Sequence, residues 1–202
     1  YSFLPSRPLP IIGVSIVKKL QSFVIRAGHL KVKKTNMPSK FISFSQSPSE
    51  TYAFPFVRTC HLNKSRPKLI IEYGDKPDAY RGKHKVILAH KMYGFPYFDR
   101  TGELGISNRD NYVISEYDDA SLERIKQFLS TDLSLFMYEC TRYRMKYLEK
   151  YAFELIPDIT KLDDFPTDIN NSTATEYFGL NESEKMLIYT AIGKRNYVFE
   201  HQ

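Results

Sequence analysis

Residues 83–114 read KHKVILAHKMYGFPYFDRTGELGISNRDNYVI, and the fold class turns on them. Val86-Ile87-Leu88-Ala89 is a short β-prone apolar run, and Asn111-Tyr112-Val113-Ile114 is another. Between them Asp99-Arg100-Thr101-Gly102 opens on Asp and closes on Gly, the signature of a type I turn. The pattern predicts a hairpin. Lys85, Lys91, Arg100, Asn108, Arg109 and Asn111 decorate it with basic and amide groups suited to an anionic contact. Asp99 and Gly102 read as architecture, because Asp bonds its own backbone in such turns and Gly accepts the angles that follow. Tyr93, Phe95, Tyr97 and Phe98 alternate with Gly94 and Pro96. Most of these rings read as core, with Tyr93 able to flank a base.

Gly, Pro, Ser and Asn punctuate the chain upstream, and residues 11–17, 23–33, 41–44, 54–58, 68–73, 84–90 and 111–115 are strand candidates. In Gly28-His29-Leu30-Lys31-Val32-Lys33 polar and apolar residues alternate, so one face can pack while His29, Lys31 and Lys33 share the other. Downstream the periodicity turns helical. Asp119 or Ser121 caps a predicted helix through Leu129, with Leu122, Ile125, Phe128 and Leu129 at helical spacing and Glu116 and Glu123 near its start. Ser130-Thr131-Asp132 recaps a second helix, whose stripe is Leu133, Phe136, Met137, Cys140, Tyr143 and Tyr147. Pro157 ends the helical run, 161–175 reads as a polar acidic connection, and 183–192 is a short final helix. The expected class is α+β, with a twisted β-rich lobe, 1–118, followed by a helical C-terminal lobe, 119–202, packed on it. At 202 residues and 42% hydrophobic content the chain can bury a core.

The order of these features resembles a known family. An apolar strand is followed by Tyr97-Phe98-Asp99-x-x-Gly102, by the run from Ser107 to Ile114, by SLERIKQFLS at 121–130 and by Ile156-Pro157-Asp158-Ile159. That order is similar to the target-recognition region at the C-terminal end of adenine-N6 DNA methyltransferases of restriction-modification systems. The TaqI-like specificity domains and fused restriction-and-modification enzymes are the nearest likeness, over roughly 58–180. The resemblance implies sequence-specific binding of double-stranded DNA. It also implies a partner catalytic domain, outside this chain, that supplies S-adenosylmethionine and the methyl transfer, with or without a nuclease.

The charge distribution points the same way. Residues 1–68 carry 12 Lys and Arg against one acid, Glu50, residues 69–118 carry 7 against 8, and residues 119–202 carry 10 against 14. A segment so one-sided projects a field that draws a polyanion. Arg donates two hydrogen bonds to guanine, and Asn pairs with adenine in the same bidentate way. Arg100, Asn108, Arg109 and Asn111 are therefore candidate base readers. Lys31, Lys33, Lys34, Lys40, Lys64 and Lys68 are candidate phosphate contacts, with Asn36, Lys91 and Tyr93 beside them as further DNA-binding candidates.

Catalytic signatures are missing from the chain itself. An adenine methyltransferase needs an Asp/Asn-Pro-Pro-aromatic loop to hold the flipped base, and no Pro-Pro occurs here. Neither a GxGxxG, a GxxxxGK[ST] nor a GxSxG is found. A nuclease reading fares no better, since no Asp or Glu is followed two residues later by Lys. His84 and His90 lie six residues apart, too weak a pattern for a metal. No residue is therefore assigned to catalysis, to a metal or to a cofactor. Cys60 and Cys140 sit far apart without a CxxC, which suits a reducing compartment and two buried thiols. No apolar run approaches the ~20 residues of a membrane span, and residues 1–10 do not read as a signal peptide. The expected location is the cytoplasm, and a chain opening on Tyr1 reads as processed or excised. The other reading of this sequence is a DNA- or RNA-binding structural protein of a virus or mobile element, with no enzyme attached.

Overall fold

In the computed structural model, residues 9–35, 41–63, 66–90, 95–107, 111–142 and 147–193 are described, with backbone alone at 61–63, 66, 67 and 193. Asn36, Lys40, Lys64, Lys91, Tyr93, Asn108 and Arg109 lie outside the described residues. The class is α+β. The chain divides into two compact units, one of residues 32–126 and one of 1–31 with 127–201, where the sequence pattern draws its line at 118/119.

The β unit holds two four-stranded sheets. Its elements are β1 (Lys33–Lys34), β2 (Phe44–Ser45), β3 (Phe54–Asn63), β4 (Arg66–Gly74), β5 (Lys85–Ala89), β6 (Tyr97–Asp99), β7 (Gly105–Ile106) and β8 (Asn111–Ile114), and the helix α2 (Asp119–Leu129) begins in it. The sheet orders are β1-β8-β5-β6 and β2-β4-β3-β7. Strands β5 and β8 are antiparallel neighbours, pairing Val86 with Ile114 and Ala89 with Asn111. The connection is not the simple hairpin read from the sequence. β6 returns along the other edge of β5, pairing Val86 with Phe98, and β7 crosses to the second sheet to run parallel to β3. Val57, Ile87, Ile106 and Val113, one from each of four strands, form a buried cluster with Leu69, Ile71, Tyr80 and Leu104 packed against it. β5 is buried along its whole length and has no solvent face, which is why Val86–Ala89 form a continuous apolar run after the buried Lys85.

The turn after β6 is organised by Asp99, as its position in the sequence implies. One carboxylate oxygen accepts the Gly102 N–H at 3.1 Å and the Thr101 hydroxyl at 3.2 Å, and the other accepts the Leu104 N–H at 3.1 Å. Gly102 takes φ 69°, and a Cβ there would stand 3.0 Å from the Gly82 carbonyl carbon and the Lys83 nitrogen. Gly102→Ala is expected to cost about 1–3 kcal/mol through the left-handed backbone and this contact. Urea denaturation measures it, and an unchanged midpoint would show that the turn relaxes freely.

The strand candidates at 11–17 and 23–33 do not form as read: Val14–Ala27 is a helix, α1, and of those residues only Lys33 lies in a strand. Its β-branched residues favour strands locally, but Ile16, Val17, Leu20, Val24 and Ala27 recur at helical spacing and all are buried. The period outweighs the propensity. After α1 the alternation is as read, with Leu30 and Val32 buried and His29, Lys31 and Lys33 exposed. Only Lys33–Lys34 of that run is strand.

Helix α2 is capped by Asp118, whose carboxylate accepts the Ser121 N–H at 2.7 Å, and that bond holds the acid below its ordinary value. Its Leu122, Ile125, Phe128 and Leu129 are buried. The helix α3 (Asp132–Cys140) follows, capped by the Thr131 side chain through the Ser134 N–H, and every residue from Leu133 to Cys140 is buried. The expected stripe therefore holds at Leu133, Phe136, Met137 and Cys140. It does not continue to Tyr147, which is 40% exposed beyond the helix end, and Tyr143 lies outside the described residues.

Two short 3₁₀ helices, Lys150–Leu155 and Ile159–Lys161, lead to α4 (Asn171–Tyr177) and α5 (Glu182–Gly193). Helix α4 begins inside the stretch that reads as a connection, 161–175, and runs past its end; Asn171-Ser-Thr-Ala-Thr shows no apolar period that would mark it. Its start is set by a capping box between Asn170 and Thr173. A second reciprocal pair starts α5: Asn181 Oδ1 accepts the Glu184 N–H and Glu184 Oε2 accepts the Asn181 N–H, both at 2.9 Å.

Candidate nucleic-acid interface

The charge of this protein is distributed by unit. From the sequence, residues 32–126 hold 16 Lys and Arg against 11 Asp and Glu, so +5 of the net +6 belongs to the β unit. In the other unit two of the early cations meet acids. Lys19 pairs with Glu184, and Arg26 with Asp164 at 2.7 Å. Arg26 and the Tyr177 hydroxyl together hold the Asp164 carboxyl below its usual range, the Tyr177 bond contributing most.

The candidate base readers separate on inspection. Asn111 is wholly buried, which removes it from the readers as a correction. Its Nδ2 donates to the Arg58 carbonyl at 3.2 Å, and its own carbonyl accepts the Thr35 N–H and hydroxyl, each at 3.0 Å. Arg58 is where the β3–β4 register shifts. The Asn side chain thus satisfies a carbonyl that the irregularity takes out of the ladder. Lys85, expected on the surface, is also buried. Its ammonium donates to Asp99 at 2.6 Å and to the carbonyls of Lys83 at 3.0 Å and Tyr80 at 3.2 Å, so all three N–H groups are used. Burial pushes its pKa down, against the pull of Asp99.

Arg100 is exposed, as a reader must be, and it is already engaged. It pairs with Glu123 of α2 and stacks 4.6 Å from the Phe98 ring centroid. Both contacts hold the guanidinium extended at the surface, and an exposed ion pair is weak enough to exchange for another anion. His84 and Asp119 pair nearby at 2.6 Å.

Among the candidate phosphate contacts, Lys31, Lys33 and Lys68 are exposed and Lys34 is half-buried, 5.9 Å from the Tyr112 ring centroid. Lys33 pairs with Glu116, whose hydrogen bond raises the ammonium above its ordinary value.

From sequence alone the strand of β3 ends at residue 58 and that of β4 begins at 68, whereas the pair is the longest ladder of the unit. The ladder continues to Asn63 and Arg66. Thr59-Cys60-His61-Leu62-Asn63 alternates polar and apolar, a period-2 signal that the Pro67 punctuation hides. Proline is tolerated where a strand has an open edge.

The two thiols do not enter this chemistry. Burial raises each, Cys60 and Cys140 alike, up to about 12, so neither is a nucleophile near neutral pH. Among the described residues no group of three His, Cys, Asp or Glu is placed to hold a metal ion, and no helix is long and apolar enough to cross a membrane. No protein-family model, curated protein or solved structure matches this chain.

Proposed function

We propose that this chain is a sequence-specific binder of duplex DNA, the target-recognition part of an adenine-N6 DNA methyltransferase or restriction-modification enzyme. The observation that carries the proposal is the concentration of excess positive charge in the β unit, +5 of +6, on a scaffold whose strands and turns are braced from within. A rigid, locally basic β unit meets the two requirements of a DNA reader, attraction to phosphates and a fixed register for base contacts. The order of motifs from 97 to 159 supports the family assignment. On that reading a partner domain holds S-adenosylmethionine and performs the methyl transfer, while this chain holds no cofactor and selects the site.

The test is a titration of affinity for a mixed-sequence duplex against salt. Lys31→Gln and Lys68→Gln are each expected to flatten the slope of log K against log salt by about one unit. Lys33→Gln should flatten it less, since Glu116 already compensates that charge. A parent slope near zero would overturn the reading. Equal affinity for single-stranded RNA would favour a general nucleic-acid-binding protein instead.

A further inference from the structure

The two faces of the β2-β4-β3-β7 sheet carry different residues. Val57 and Ile106 lie in the core cluster of the β unit, and Leu69 and Ile71 pack against it, so the residues beside them in each strand turn to the opposite face. Phe56 pairs with Glu72 on β4 and with Gly105 on β7. Gly74 of β4 pairs with Phe44 on one side and with Phe54 on the other. Phe44, Phe54, Phe56 and Glu72 therefore share the face turned away from the core cluster. The two glycines make room for one ring, since a Cβ would stand 2.6 Å from Phe56 Cε2 at Gly74 and 2.5 Å from Phe56 Cδ1 at Gly105. The ring thus reaches over both neighbouring strands, and Phe44 meets it edge to face with centroids 5.1 Å apart.

Glu72 is the one acid on this aromatic surface, and it is 9% exposed. The other buried acids among the described residues each have a cation: Asp99 has Lys85, Glu139 has Arg142, Asp158 has Lys161 and Glu184 has Lys19. Glu72 has neither an ion pair nor a hydrogen bond among the described residues. A carboxylate withdrawn from water in this way is costly until a cation or hydrogen-bond donor reaches it. Its oxygens are not sealed in, because neither falls among the fully enclosed unsatisfied atoms. The rings of this face already hold one cation: the Arg81 guanidinium stands 5.1 Å from the Phe54 centroid. Its N–H goes to the Glu103 carbonyl at 2.8 Å, which leaves Glu72 without it.

We infer that Glu72, with the Phe44 and Phe56 rings, is a binding site for an organic cation, an alkylammonium or guanidinium group with hydrocarbon beside the charge. The carboxylate supplies the counter-charge, and aromatic rings attract a cation through their quadrupole. A hard metal ion is poorly served here, because Ca²⁺ and Mg²⁺ demand several oxygen ligands and one carboxylate among phenyl rings offers too few. The same chemistry has two sources, a free small amine and a Lys or Arg side chain of a partner protein. The inference is independent of the DNA-binding reading.

The experiment follows the Gly74 and Gly105 amide resonances of the full chain by NMR while three probes are added at constant ionic strength. n-Butylammonium stands for the free amine, the peptide Gly-Arg-Gly for a partner's side chain, and n-butanol for the apolar body without charge. At least one cation should shift these resonances saturably, and n-butanol should bind about ten-fold more weakly or not at all. Tighter binding of n-butylammonium assigns a small amine, and tighter binding of the peptide assigns a protein side chain. Glu72→Gln keeps the size of the side chain and removes its charge, so it should weaken the cations by roughly ten-fold or more. Without any probe the same variant should melt at or above the parent temperature, because it no longer encloses an unpaired charge. A carboxylate with a structural role gives the opposite sign. The site is overturned if neither cation shifts the resonances, if n-butanol binds as well as n-butylammonium, if Glu72→Gln binds like the parent, or if it melts well below it.

Discussion

Asp99→Ala is expected to cost on the order of 3–5 kcal/mol, because it leaves the Lys85 ammonium buried without its counter-charge. The pair is almost fully enclosed, Lys85 at 0% and Asp99 at 3% exposure. The same substitution also strips acceptors from the Gly102 and Leu104 N–H groups and from the Thr101 hydroxyl. Chemical denaturation gives the loss directly. A second variant apportions it. Adding Lys85→Met removes the orphaned charge and should restore part of the stability, since an apolar side chain of similar length is tolerated where an unpaired charge is not. If the double variant is as unstable as Asp99→Ala alone, the turn's hydrogen bonds carry the whole effect and the ion pair little of it.

Phe136→Ala is expected to cost about 3–5 kcal/mol through the cavity it opens. For a chain of this size, about 2–4 °C per kcal/mol, that lowers Tm by roughly 6–20 °C. Phe136 is fully buried on a helix buried all round. It also closes against Gly13, where an added Cβ would stand 2.5 Å from the ring Cζ. Gly13 starts α1 with φ 67°, so no side chain fits between ring and backbone without strain. The truncation therefore leaves a gap that neither helix can fill by a small rotamer change. A thermal melt matching the parent would show that the site collapses without penalty.

Much of the architecture was legible because it rests on local periodicity and on residues that bond their own neighbours. The Leu133–Cys140 stripe, the Thr131 cap, the Asp99 turn and the strands at 85–89 and 111–114 all follow from spacing within a few residues, which depends little on the rest of the chain. The division into an α+β fold followed from these. The residues of α1 read as strand because their β-branched composition and their helical spacing point different ways, and the burial of Ile16, Leu20 and Val24 decides in favour of the period.

The candidate site was less legible, for a reason that spacing cannot remove. Sequence shows which side chains can reach an anion, but not which of them the fold has already used. Lys85 and Asn111 have the chemistry of a surface contact, yet one neutralises Asp99 and the other satisfies the Arg58 carbonyl, both by partners distant in sequence. Conversely, the ladder that carries β3 on to Asn63 is made by pairing with β4. The amino-acid order by itself determined three helices of the second half, α2, α3 and α5, the turn at Asp99 and the excess of positive charge before residue 69. Only the tertiary structure decided where that charge is spent and where it is displayed, because a cation's availability depends on the dielectric around it and on the acid across from it. Both are properties of the packed chain.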